Sequence, residues 1–211
     1  MAREGLPFVA AGALLALACW FAQRWLPGLV HGVWLFAVVA GFMAFFFRDP
    51  RRQSPQESGA VLSAADGRVV SIHRLERDAY VDGPAMRISV FLSVLNVHVN
   101  RIPFAGEVDF VDRRTGRYRV AFADEASEQN EQSVIGIRSG QHRLVVKQIV
   151  GILARRIACY LQSGQHVEVG QRFGLIRFGS RVDLILPESA QIRVTVGDRV
   201  RAGETVIGVL S

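Results

Sequence analysis

Ile192-Arg193-Val194-Thr195-Val196-Gly197-Asp198-Arg199-Val200-Arg201-Ala202-Gly203-Glu204-Thr205-Val206-Ile207-Gly208 decides the fold. Short β-branched runs alternate with Gly-Asp and Ala-Gly steps, the punctuation of short strands joined by tight turns. A briefer version, Val167-Glu168-Val169-Gly170-Gln171-Arg172-Phe173-Gly174, precedes it as a weak internal repeat. Upstream the same texture continues: Arg68 to Ile72, Met86 to Leu92, Arg117 to Phe122, Ser133 to Ile137 and Arg143 to Val146 all read as strands. Val145 to Leu161 fits a long strand or a helix, and periodicity alone does not choose between them.

The expected fold is therefore mainly β: a compact sandwich or barrel whose C-terminal hairpin is of the lipoyl or biotinyl type. A swinging-arm carrier needs a lysine at that hairpin, and none is there. Lys147 is the only lysine in the 211 residues. It is also the only residue that could hold pyridoxal phosphate, and no phosphate-cradling glycine loop accompanies it. Pyridoxal phosphate is not expected. Cys19 and Cys159 stand far apart and offer no metal-ligand spacing, so no metal is expected either. The formal charge of +6 is carried almost entirely by arginine. Without aromatics interleaved among the basic residues, this charge points to an anionic membrane surface rather than nucleic acid.

The N-terminus supports the membrane. Leu6 to Ala22 and Leu29 to Phe47 are nearly uncharged, and Gln23 to Gly28 breaks them with polar and turn-forming residues. A bilayer core of about 30 Å asks for roughly 20 apolar residues per helix, so a retained helical hairpin is expected; an interfacial arrangement is the alternative. Arg48, Arg51 and Arg52 follow the second run, against Arg24 alone in the connecting loop. The positive-inside rule then puts both ends in the cytoplasm, at the cell (inner) membrane. Residues 1–52 read as the anchor and 53–211 as a β-rich catalytic domain.

Chemistry is concentrated in Arg177-Phe178-Gly179-Ser180-Arg181-Val182-Asp183, the one place where a glycine precedes a serine. Glycine leaves its own carbonyl open to close approach and tolerates unusual backbone angles. A following serine Oγ can attack that carbonyl and turn the amide into an ester; elimination and hydrolysis then leave an N-terminal pyruvoyl group. Most Gly-Ser steps are ordinary turns, so the reaction also needs a base and a group to orient it. Ser63-Ala64-Ala65-Asp66-Gly67 offers a carboxylate at a tight turn. Phe91-Leu92-Ser93-Val94-Leu95-Asn96-Val97-His98-Val99-Asn100-Arg101-Ile102-Pro103 offers a histidine in an apolar stretch.

Phe46-Phe47-Arg48-Asp49-Pro50, Ala65-Asp66-Gly67, Phe91-Leu92-Ser93 with His98 and Pro103, and Gly174 to Asp183 occur in one order. Together they resemble the short form of phosphatidylserine decarboxylase, including its archaetidylserine-type relatives, over nearly the whole chain. The resemblance implies that Ser180 is the self-cleavage nucleophile and later the pyruvoyl residue, forming a Schiff base with the substrate amine. Gly179 would end a β chain of residues 1–179, Ser180 would open an α chain of 180–211, and the two would stay together as a heterodimer, with further oligomerisation open. Asp66 and His98 would be the processing partners. Longer family members carry a second histidine three positions after the first; here Arg101 stands there, which puts a two-histidine division of labour in doubt. It leaves Arg101 as a candidate for the headgroup phosphate or carboxylate. The implied substrate is a serine phospholipid, decarboxylated to its ethanolamine counterpart. Two other readings fit the same residues: a membrane-anchored serine hydrolase using Ser180, His98 and Asp66 without cleaving itself, and a non-enzymatic β scaffold.

Overall fold

The computed structural model describes residues 1–116, 129–151, 156–177 and 179–210. The expected strand at Arg117 to Phe122 lies outside them. The chain divides into two units, Met1–Pro50 and Arg51–Ser211.

The first unit is a helical hairpin, α1 (Leu6–Ala22) and α2 (Val30–Phe46). With their flanking 3₁₀ turns they form two stretches, Arg3–Ala22 and Pro27–Phe46, each of 20 residues and apolar enough to cross a membrane by length and composition. Apolar residues cover every side, and Leu14, Trp34 and Val38 are more than 60% exposed, so the helices hold no watery face. They approach each other through small residues. A Cβ on Gly12 would lie 3.0 Å from the Ala40 Cβ, and one on Gly32 would lie 2.9 Å from Cys19 Sγ. This is how helices pack where lipid replaces water as the solvent.

The elements described in the second unit are all strands. Its main sheet is antiparallel and uses eight strands: β2 (Gly67–Asp78), β3 (Gly83–Leu92), β5 (Gly106–Arg114), β6 (Gln132–Ser139), β7 (His142–Val150), β9 (His166–Val167), β11 (Ser180–Pro187) and β13 (Arg199–Val200). Their order across the sheet is β13-β2-β3-β11-β7-β6-β5-β9. β4 (Val99–Arg101), β10 (Arg172–Ile176) and β8 (Ile157–Cys159) make a second sheet, and β1 (Ala60–Leu62), β14 (Val206–Val209) and β12 (Gln191–Ile192) a third. The ambiguous Val145 to Leu161 region thus holds the end of β7 and all of β8.

Alternation along β11 decides what faces the core. Val182, Leu184 and Leu186 point into the main cluster with Val90, Leu92, Ile135 and Val146. The intervening residues take the other face, where Ile185 joins Ala85, Val134 and Val145. Arg181 and Asp183 also lie on that face, and both side chains are 0% exposed. Arg181 donates from Nε to Asp183 Oδ1 at 2.6 Å and from Nη2 to Ser89 Oγ at 2.6 Å. Asp183 sits opposite Lys147 on β7. Burial lowers the Lys147 ammonium below its ordinary value, and the charge of Asp183 pulls the other way.

A lysine whose folded value is lowered binds its proton more tightly in the unfolded chain. Its burial penalty is full below the folded value and is relieved as pH rises from the folded towards the unfolded value. Chemical denaturation should therefore show the stability difference between Lys147→Met and the parent shrinking as pH is raised through the alkaline range.

Candidate active site

Ser180 opens β11, the strand held on both sides within the main sheet. It is registered against Leu92 of β3 and Val150 of β7. Opposed residues of an antiparallel pair share a face, so its side chain is on the main-core side with theirs. Ser180 is 0% exposed, and its Oγ has no hydrogen-bond partner among the described residues. A buried hydroxyl without a partner is destabilising by about 1–3 kcal/mol, so one kept at a Gly-Ser step calls for a reason.

Gly179 has φ of +60°, and a Cβ there would meet nothing within 4 Å. The position demands glycine for its left-handed backbone and not for lack of room. A branched residue in this conformation is strained by about 1–2 kcal/mol, whereas asparagine tolerates it. If the bond after Gly179 is the scissile one, Gly179→Asn should be cleaved faster than Gly179→Ala, and Gly179→Val slowest. Gel densitometry of freshly synthesised chain over time measures this order.

His98 is delivered by a braced turn just beyond β3. Asn96 Oδ1 accepts from the Ser93 N–H at 2.9 Å and from Ser93 Oγ at 2.7 Å, while the Asn96 N–H donates to Ser93 O at 3.0 Å. The Asn96 carbonyl then faces His98 Nδ1 at 3.0 Å. A carbonyl only accepts, so Nδ1 carries the proton and Nε2 keeps the basic lone pair in the neutral ring. The imidazole is 1% exposed. β4 follows directly and pairs with β10, where Gly174 and Leu175 lie opposite Asn100 and Val99 a few residues upstream of the Gly-Ser step.

Asp66 stands where β1 turns into β2. Its Oδ1 accepts the Ala202 N–H at 2.8 Å and its Oδ2 accepts Arg52 Nη2 at 2.7 Å; Arg52 Nη1 also reaches Glu204 at 3.0 Å. Asp66, Ser93 and Asn96 line one cavity of about 430 Å³ together with Arg68, Arg199 and Arg201. The carboxylate and the turn that carries His98 thus meet at one hollow. Ser180 lies one strand away on the opposite side of β3 from Phe91 and Ser93. Arg101 donates from Nη1 to Gly170 O at 3.0 Å, and its N–H donates to Ala64 O at 3.0 Å, so it braces the loop before Asp66.

Sequence reading did not single out three of these residues. Arg52 looked like a charge trailing an apolar run, and only the fold brings it to Asp66. Asn100 and Gln148 form a buried pair, Gln148 Nε2 donating to Asn100 Oδ1 at 2.8 Å. Gln148 opposes Val182, two residues beyond Ser180, and so ties the strand after His98 to the start of β11. The available signal was the Val-His-Val-Asn alternation, which places His98 and Asn100 on one side. Among the described residues no group of three or more His, Cys, Asp or Glu is arranged to hold a metal ion.

A buried serine hydroxyl behind a left-handed glycine, and a buried histidine whose Nδ1 is held by a carbonyl, are parts that a serine-activated enzyme uses. The phosphatidylserine decarboxylase family profile matches residues 39–208. The chain belongs to that family. It is 47% identical to the phosphatidylserine decarboxylase proenzyme of Symbiobacterium thermophilum over all of this chain and 95% of that protein. It is 40% identical to the proenzyme of that name from Desulfotalea psychrophila, over 99% of this chain and 95% of that one. For the Burkholderia mallei protein of the same name the identity is 41%, over 100% and 95%.

Proposed function

We propose that this chain is a proenzyme that cuts itself between Gly179 and Ser180 and then, as a pyruvoyl enzyme, decarboxylates phosphatidylserine to phosphatidylethanolamine. The observation that carries the reading is the buried Ser180 hydroxyl, without a hydrogen-bond partner among the described residues, directly after Gly179 at φ +60°, in a member of this family. Asp66 and His98 serve as the processing partners. His98 Nε2 takes the Oγ proton as Oγ attacks the Gly179 carbonyl carbon, and Asp66 supplies the negative charge that favours the resulting imidazolium. The C–N bond breaks and an ester replaces the amide. Loss of the Ser180 Cα proton expels the Gly179 carboxylate and leaves dehydroalanine, whose imine tautomer takes up water and releases ammonia.

The site fits the group that results. A ketone has no proton to donate, so conversion removes the stranded hydroxyl donor, and an under-satisfied carbonyl acceptor is more readily tolerated in a core than an orphaned donor. The pyruvoyl ketone supplies the electron sink that lets the α-carboxylate of the substrate leave as carbon dioxide. His98 Nε2 returns a proton to the carbon that lost it. Arg101 is assigned to the headgroup phosphate or carboxylate.

The helical hairpin tethers the enzyme to its lipid at the cell membrane, with the β unit on the cytoplasmic side and the two cleaved chains held as a heterodimer. Keeping the acyl chains in the bilayer avoids about 0.8 kcal/mol per methylene exposed to water. Intact-mass measurement under denaturing conditions should find two chains meeting at Gly179-Ser180, the smaller one with a blocked N-terminus that borohydride and an amine label covalently. A fully active preparation with that bond whole would overturn the reading.

A further inference from the structure

The hollow beside Asp66 is strongly basic and has an apolar rim. Arg68, Arg199 and Arg201 line it and are exposed. The carboxylate in its lining, Asp66, is already engaged by Arg52 and the Ala202 N–H. Glu204 lies 3.8 Å from Arg201 and is shared with Arg52, while Asp198 is used as a cap, accepting from the Thr195 N–H at 2.8 Å.

Two turns adjoin the hollow. Ser93–Asn96 presents Val94 at 37% and Leu95 at 64% exposure, and Thr195–Asp198, directly before Arg199, presents Val196 at 60%. Both turns are braced from within, the second also by the Gly197 N–H donating to Val69 O at 2.8 Å. Rigid turns that hold aliphatic side chains in water, beside three arginines, have the composition of a surface that enters the boundary between headgroups and acyl chains.

We infer that this face of the β unit docks on an anionic phospholipid bilayer, with Val94, Leu95 and Val196 entering the acyl boundary and Arg68, Arg199 and Arg201 meeting lipid phosphates. It is a second contact with the membrane, separate from the helical hairpin. The inference rests on the decarboxylase reading for its assay: a substrate whose tails stay in the bilayer is turned over only by an enzyme seated on that bilayer.

The test uses the full-length, self-processed protein and two substrates, phosphatidylserine in phosphatidylcholine vesicles and a monomeric short-chain phosphatidylserine. Leu95→Glu and Val196→Glu should each cleave to completion and lower turnover on vesicles about tenfold, while changing turnover of the short-chain lipid less than about twofold. Leu95→Phe should keep vesicle turnover. Arg199→Gln should weaken vesicle turnover most at low salt. Parental vesicle turnover in both glutamate variants would overturn the inference, and so would equal losses on the two substrates, which mark a structural role. A parent protein inactive on both substrates would overturn the decarboxylase reading itself, and this inference with it.

Discussion

Ser180→Ala should remain one uncleaved polypeptide and lose decarboxylase activity by about 10⁴-fold or more, the scale seen when a nucleophile that works as part of a unit is removed. In the proposed reaction Ser180 has two successive jobs, and the size of the effect follows from them. Its Oγ must break the backbone, and its Cα must then become the ketone. Alanine supplies neither oxygen nor leaving group. Stability should not fall, because the substitution removes a buried hydroxyl that has no hydrogen bond to lose. Equal or higher melting temperature together with complete loss of processing therefore separates a chemical role from a structural one. Ser180→Cys sharpens the test. A thiol can attack the same carbonyl and leave the same dehydroalanine on elimination, so slow cleavage to an identical pyruvoyl chain is expected by mass. An active, uncleaved alanine variant would sink the assignment.

The second large effect is on stability. Asp183→Ala should destabilise the protein by about 3–5 kcal/mol, the usual result of stranding one charge of a buried pair. For a chain of this size that corresponds to a fall in melting temperature of order 10 °C. Arg181 cannot shed its proton in response, and the Ser89 hydroxyl that accepts from its Nη2 carries no charge to neutralise it. The double variant Arg181→Met with Asp183→Leu should recover much of the loss, because it removes both charges and keeps the volume. Thermal unfolding of the parent, Arg181→Met, Asp183→Leu and the double variant in one detergent gives the coupling energy directly. If the double variant falls by the sum of the singles, the pair is not coupled as its geometry demands.

Local pattern carried the elements well. The first apolar run became α1 over Leu6–Ala22, and the second shortened by a residue at each end to Val30–Phe46. Alternating β-branched runs became strands, usually longer than read, since pairing extends a strand into polar residues that show no pattern of their own, as in Leu75 to Asp78 of β2. The Gly-Ser step was legible because its chemistry needs adjacent residues. What pairing across the sheet decides was not legible. Asp66 meets Ala202 across 136 positions and Gln148 meets Asn100 across 48, and such partners are set by strand register, which depends on the whole sheet. Arg101 shows the same limit. Its bond to Gly170 O depends on how β4 and β10 lie together, which its place three positions after His98 does not reveal.

The C-terminal segment is stitched into the β unit at several places: β11 lies between β3 and β7, β13 adds to β2, and β14 bonds to β1. Scission at its head would leave it knitted in, with no covalent connection to the rest. Denaturation would then release two strangers. Renaturation of the mature enzyme becomes a bimolecular encounter, slower on dilution, while uncleaved Ser180→Ala recovers at a rate independent of concentration. The native arrangement would be reached once, from the intact precursor, and afterwards preserved by the height of the unfolding barrier.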